Sequence, residues 1–228
     1  MKPTSLLSLV AAVLVSGVAS AQSAKSSALL SARTLIPSVS ISNSAGKTYD
    51  GPWVEILKTT LRTSQQKDVL VGVSLETGLF TDTLVSSKNG NSDTSKSEAS
   101  IEVEVLVDGK PAAPGVVIFN KREQRMMAQF GGILRSCTDA NLDGTLNMET
   151  ECVIDPEQLQ LVLNTMSANH FNFSLDDLGT GVHTISVRAR IGLKADAQTG
   201  SATAAASVGK GSITVEEVRF VKDQDITL

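Results

Sequence analysis

Apolar and polar positions alternate along most of this chain with a period of two, the pattern of strands that bury one face and wet the other. The cleanest stretch is Ile101-Glu102-Val103-Glu104-Val105-Leu106-Val107, where branched residues alternate with acids. Similar runs occupy residues 54–62, 68–76, 80–85, 116–119, 124–130, 170–175, 182–191, 201–208 and 212–222. Turn chemistry separates them: Thr63-Ser64-Gln65-Gln66-Lys67, the hairpin dipeptide Asp108-Gly109, and Asp176-Asp177-Leu178-Gly179-Thr180-Gly181.

Four segments break the alternation. Residues 22–50 are rich in Ser and Ala and read as a flexible segment, with one edge strand near Pro37, which has no N–H to give a central ladder. Residues 86–97 are almost wholly polar and read as a long exposed loop, as does 194–200. Asp155-Pro156-Glu157-Gln158 has the form of a helix start, and Leu159, Val162, Leu163 and Met166 then share one helical face, which predicts a short helix up to residue 168. The predicted fold class is therefore all-β, an antiparallel β-sandwich of about ten strands, jelly-roll or immunoglobulin-like, with one short helix. The phrase beginning Leu178-Gly179-Thr180-Gly181-Val182-His183 resembles a late hairpin of extracellular sandwiches of both kinds, which implies fold and not activity.

Composition adds a compartment. Met1-Lys2-Pro3, the apolar run 6–18 and the small residues Ala19-Ser20-Ala21 read as a secretory signal over residues 1–21, leaving 51–228 as a single sandwich domain and placing the chain outside the cytoplasm, extracellular or periplasmic. No other run reaches the roughly 20 apolar residues of a spanning helix, so no membrane span is expected. The formal net charge is −4, and without Lys2 the 20 basic residues become 19 against 24 acids, or −5. That balance argues against nucleic acid, whose binding needs clustered Lys and Arg. Aromatic residues make up 4% of the chain, few for a surface that stacks sugars or bases.

One stretch specifies chemistry by residue type and spacing together. From Cys137 to Cys152, Asp139, Asn141 and Asp143 alternate, Gly144 follows at once, and Thr145, Leu146 and Asn147 come next. The segment resembles the calcium-binding loop of EF-hands and dockerin modules. The resemblance implies Ca2+ held by the side chains of Asp139, Asn141 and Asp143, by the Thr145 carbonyl and by Asn147 directly or through a water, with Leu146 as apolar anchor. The twelfth position is Thr150 and not the family's bidentate acid; one extra residue in the turn brings Glu151 into that role. An extracellular site of this kind binds in the range of about 10⁻⁴ to 10⁻³ M. Cys137 and Cys152, the only two cysteines, are expected to form one disulfide that clasps the loop.

Elsewhere the chemistry is sparse. Strand parity sends His170 outward and His183 toward the core, so the two histidines form no joint site. Glu102 with Glu104, or Glu216 with Glu217, have the spacing of a hydrolytic carboxylate pair but read as the wet face of a sheet. Arg122, Arg125, Arg188 and Arg190 read as their ion-pair partners. No catalytic residue is assigned. The expected function is a non-enzymatic structural or interaction module with an architectural calcium site and an extracellular protein or glycan as partner; the alternatives are a calcium-assisted carbohydrate-binding module and, third, a hydrolase.

Overall fold

The computed structural model describes residues 25–43, 45–87, 91–131, 135–155 and 157–220. The expected export signal lies outside these residues. Strands in chain order are β1 (Ser26–Ser31), β2 (Ile36–Asn43), β3 (Lys47–Asp50), β4 (Val54–Thr63), β5 (Lys67–Ser87), β6 (Ser92–Val107), β7 (Lys110–Pro111), β8 (Val117–Gln129), β9 (Arg135–Cys137), β10 (Cys152–Ile154), β11 (Glu157–Leu178), β12 (Gly181–Ala197) and β13 (Ser201–Val218). One antiparallel sheet runs β1-β13-β5-β11, with β2 collinear with β1 on β13; the other runs β3-β12-β6-β7, with β4 collinear with β3 on β12 and β8 collinear with β7 on β6.

Counting each collinear pair as one ribbon gives eight ribbons in the two sheets, and their pairing decides the topology. The first ribbon (β1, β2) pairs with the last (β13), the second (β3, β4) with the seventh (β12), the third (β5) with the sixth (β11), and the fourth (β6) with the fifth (β7, β8). This is one long antiparallel hairpin rolled into two sheets. It is the jelly-roll order and not the immunoglobulin one, in which consecutive strands pair within a sheet.

The interior is graded along the strands. At one end the inward residues are large and branched: Val69, Val71, Val73 and Leu75 of β5, Ile101, Val103, Val105 and Val107 of β6, Ile185, Val187 and Ile191 of β12, Ile213 and Val215 of β13. Toward the other end the same faces carry Thr77, Thr81 and Thr83, then Asp93, Ser95 and Ser97, and Ala195, Ala197, Ala202 and Ala204, all buried. Buried hydroxyls need partners. Gln124 of β8 reaches between the sheets to supply several, accepting from the Thr81 hydroxyl at 2.8 Å and donating to Thr83 and to the Leu161 carbonyl at 2.7 Å. Asn120 donates to Thr77 at 2.8 Å, and Ser95 to the Ser201 carbonyl at 2.7 Å.

This polar end overturns several expectations. The segment 86–97 is not an exposed loop: apart from residues 88–90, which lie outside the described residues, it continues β5 and begins β6. Residues 194–197 likewise extend β12. Residues 26–50, expected to be flexible, supply β1, β2 and β3; Ile36 and Ile41 are buried, and Pro37 does sit on an edge strand. The predicted helix is absent, and no helix occurs among the described residues. Leu159, Val162, Leu163 and Met166 fit a helical face, but Leu159, Leu161 and Leu163 also alternate with Gln158, Gln160 and Val162. Tertiary pairing selects that second period: β11 follows β5 in unbroken register from Glu157↔Ser87 to Leu175↔Val69.

The outer face of the second sheet carries the expected ion pairs in cross-strand register. Arg190 bonds Glu102 at 2.6 Å and Arg188 bonds Glu104 at 2.6 Å, while the Trp53 ring lies 4.9 and 5.9 Å from the two guanidinium centres. Glu104 is not wet, however; it is 6% exposed. Arg122 departs from the pairing scheme, donating to the carbonyls of Leu79 and Leu163.

Candidate metal-binding loop

The stretch between the two cysteines forms a hairpin separate from the sandwich. β9 and β10 pair with each other and with neither sheet. Cys137 stands opposite Cys152, and the two are joined by a disulfide with Cα atoms 4.0 Å apart. One step further in, the Thr138 N–H donates to the Glu151 carbonyl at 2.9 Å. The bridge therefore clamps the open end of a turn already held by backbone pairing.

Within the turn, side-chain oxygens and backbone amides converge. Asp139 accepts from the N–H of Gly144 at 2.9 Å and of Asp143 at 3.3 Å. Asn141 accepts from the Asp143 N–H at 3.2 Å and donates to the Asp143 carboxylate at 2.9 Å. Asp143 accepts from the Thr145 hydroxyl at 2.6 Å and the Thr145 N–H at 2.8 Å; this hydroxyl first, then the amide, holds its carboxyl below the usual range. The Asn147 side chain accepts from the Glu149 N–H at 2.9 Å, and Asn147's own N–H donates to Glu151 at 2.8 Å. Of the two acids flanking Thr150, Glu151 is thus seen to turn back into the loop. The chain makes the bend with left-handed backbone at Leu142 (φ 58) and Gly144 (φ 80), the second being the conformation glycine adopts without cost.

Asp139, Asn141, Asp143 and Thr145 therefore form one hydrogen-bonded set within the turn, and Asn147 with Glu151 a second. Their side chains offer only oxygen and amide groups, and hard cations take all-oxygen sets of this kind. Formal charge comes from Asp139, Asp143 and Glu151. Among the described residues no group of three or more His, Cys, Asp or Glu side chains gathers as a metal cluster, and the carboxylates of Asp139, Asp143 and Glu151 each already accept a hydrogen bond from within the loop. Leu146 is not a buried anchor. It is 55% exposed, beside Leu142 at 87% and Met148 at 56%, because the hairpin has no core of its own and pairs with neither sheet.

The remaining candidate groups are dispersed. His183 is buried on β12, its Nδ1 2.7 Å from Asp108 and its Nε2 2.9 Å from the Gly179 carbonyl; these contacts tie the Asp108-Gly109 turn to the β11–β12 turn. His170, exposed on β11, meets Ser74 at 2.8 Å and Asn172 at 2.9 Å. His170 is exposed and His183 buried, as parity predicts, and the two lie in different sheets. Two features had no place in the sequence reading: the buried carboxylate of Asp93 and the free edge of β11. The second was visible as a run without Lys, Arg, Asp or Glu between Glu157 and Asp176.

The class defined is a jelly-roll sandwich with a disulfide-closed, oxygen-lined hairpin inserted between its fifth and sixth ribbons. No family model matches the sequence, and no curated protein matches it. Among solved structures, infectious bursal disease virus Gx strain aligns with 10% identity over 86% of this chain and 41% of that chain, at a TM-score of 0.16. The VP2 subviral particle of the same virus aligns with 9% identity over 80% of this chain and 41% of that chain, at 0.14. The chain thus spans about two fifths of the chains it aligns with, and at these scores the likeness carries no functional information. No helix among the described residues is long and apolar enough to cross a membrane.

Proposed function

We propose that this chain is an exported, non-enzymatic interaction module whose hairpin binds Ca2+. The observation that carries the reading is a turn clamped by Cys137–Cys152 in which Asp139, Asn141, Asp143 and Thr145 are joined in one hydrogen-bonded set and Asn147 and Glu151 in a second. Bound Ca2+ would supply fixed positive charge in place of the amide donors now facing Asp139 and Asp143, holding the turn in one shape. That shape presents Leu142, Leu146 and Met148 to solvent, which favours a surface for a partner over a purely architectural part. The partner is an extracellular protein, with a glycan as the competing class; calcium-dependent binding on a glycan array would move the assignment to a carbohydrate-binding module.

Because β9 and β10 pair with neither sheet among the described residues, the direct test is local. Titration with Ca2+ followed by amide NMR is expected to give saturable shifts confined to residues 139–151, led by Gly144, with a dissociation constant of about 10⁻⁴ to 10⁻³ M. Asp139→Ala with Asp143→Ala is expected to abolish them. Absence of saturable shifts up to about 10 mM Ca2+ would refute the assignment.

A further inference from the structure

The longest strand of the molecule, β11 at 22 residues, is also an edge. Edge strands carry unpaired N–H and C=O groups, and proteins blunt them with shortness, proline, charge or bulges. The other three edges are blunted. β1 and β2 have 6 and 8 residues, and β2 contains Pro37; β3 and β4 carry Lys47, Asp50, Glu55, Lys58 and Arg62; β8 carries Lys121, Arg122, Glu123 and Arg125. β11 has none of these devices between Glu157 and Asp176, and its pairing with β5 has no bulge before Leu175. Its apolar side chains stand exposed on both faces: Leu159 49%, Leu161 43% and Leu163 40% on one, Val162 50% and Met166 66% on the other.

The direction of its free backbone groups follows from one contact. Ser174 donates its N–H to Ala113 and accepts from the Ala113 N–H, so both groups of Ser174 point away from β5. In an unbroken antiparallel ladder every second residue shares that orientation. The N–H and C=O groups of Gln158, Gln160, Val162, Asn164, Met166, Ala168, His170 and Asn172 therefore face outward along an edge about 50 Å long, with no partner strand among the described residues.

We infer that β11 pairs antiparallel with β11 of a second copy of this chain, joining two β1-β13-β5-β11 sheets into one continuous sheet across a two-fold axis. Charge decides the occupant. In a two-fold antiparallel pair residue i of one copy faces residue j of the other with i + j fixed, and a run without Lys, Arg, Asp or Glu sets no charge against the copy in any such register. A strand built for a charged foreign segment would carry the opposite charge. Apolar residues on both faces meet the same set on the copy, and with a single such edge among the described residues the assembly closes at the dimer.

Sedimentation equilibrium of the oxidised, folded chain tests this together with amide exchange. A monomer–dimer equilibrium is expected, with the outward amides of Val162, Asn164, Met166 and Ala168 protected in proportion to the dimer. Asn164→Pro removes one edge donor from each copy, two hydrogen bonds per dimer, and is expected to raise the dissociation constant at least about tenfold. Met166→Lys puts one lysine from each copy into a pairing that holds no acid to compensate it and is expected to act in the same direction; it carries the test if the proline variant fails to unfold cooperatively at the native temperature. A monomer at concentrations up to about 100 μM would overturn the inference. So would a dimer whose dissociation constant is unchanged in the folded variants.

Discussion

Asp93 offers the sharpest test of how the polar end of the sandwich is held. Its side chain is fully buried, and its carboxylate accepts from the Ser86 N–H at 2.6 Å, the Thr199 N–H at 2.9 Å and the Thr94 N–H at 2.9 Å. One group thus ties the end of β5, the start of β6 and the β12–β13 connection. Asp93→Ala strands the Ser86 and Thr199 donors, at about 1 to 3 kcal/mol for each that stays dry. Thr199 lies on an exposed turn and can regain water, so the loss should be nearer 3 than 6 kcal/mol, a large share of the roughly 5 to 15 kcal/mol that holds a domain. For a chain of this size that is a fall of about 6 to 12 °C in Tm. Burial works to raise the Asp93 pKa, but the donors from Ser86, Thr199 and Thr94 outweigh it and hold the carboxyl below its ordinary value of 3.8. A folded pKa below the unfolded one gives stability that is complete above the unfolded value and lost as pH falls through the folded one. Urea unfolding of the wild type and of Asp93→Asn should therefore show a gap that narrows as pH drops below 3.8. An Asp93→Ala variant within about 0.5 kcal/mol of wild type at neutral pH, or a gap that does not change in acid, would refute this account.

Two further outcomes follow from the same geometry. At Gly200 an added Cβ would sit 1.8 Å from the Leu84 carbonyl oxygen, a backbone atom that cannot rotate aside, so Gly200→Ala should cost about 3 kcal/mol or more by chemical denaturation, against near neutrality if the turn relaxes freely. In the chain-entropy picture a bridge closing a loop of this length contributes about 3 kcal/mol to whatever unit unfolds with it. Because the β9–β10 hairpin pairs with neither sheet, Cys137→Ser with Cys152→Ser should leave the main thermal transition of the sandwich within about 2 °C of wild type, and a drop of the full 6 to 12 °C would show instead that hairpin and sandwich unfold as one.

The apolar half of the sandwich was legible where inward positions are Val, Ile or Leu, whereas the jelly-roll order followed only from the strand pairing. The 101–107 alternation and the inward His183 follow from parity, while the β6–β12 register decides that Arg190 meets Glu102 and Arg188 meets Glu104. The polar half was not legible, because Asp93, Ser95 and Ser97 occupy inward positions that burial ordinarily reserves for apolar groups, and for Asp93 and Ser95 it is their partners across the sheets that make this tolerable. β11 misled for a different reason: its leucines satisfy the helical and the extended period alike, and only the complementary edge of β5 decides between them. In the hairpin, donor types and cysteine pairing could be read locally, since two cysteines allow one bridge. The exposure of Leu146 could not, since it depends on how that hairpin stands apart from both sheets.

The pairing of the first ribbon with the last has a temporal consequence. Chain synthesis delivers β1 and β2 at the start, yet their hydrogen-bonding neighbour, β13, emerges only when synthesis has passed residue 218. Each later ribbon up to β5 likewise waits for one encoded far downstream, and only the β6–β8 hairpin at the middle of the chain has both halves available early. Closure therefore has to proceed from the middle of the sequence outward, with the longest loop-closing step last, a slow order for a protein of this length. Until that step is complete, the edge of β5 that β13 later covers stands open to other chains, which makes the nascent molecule a natural client for holding factors on its way to the folded state.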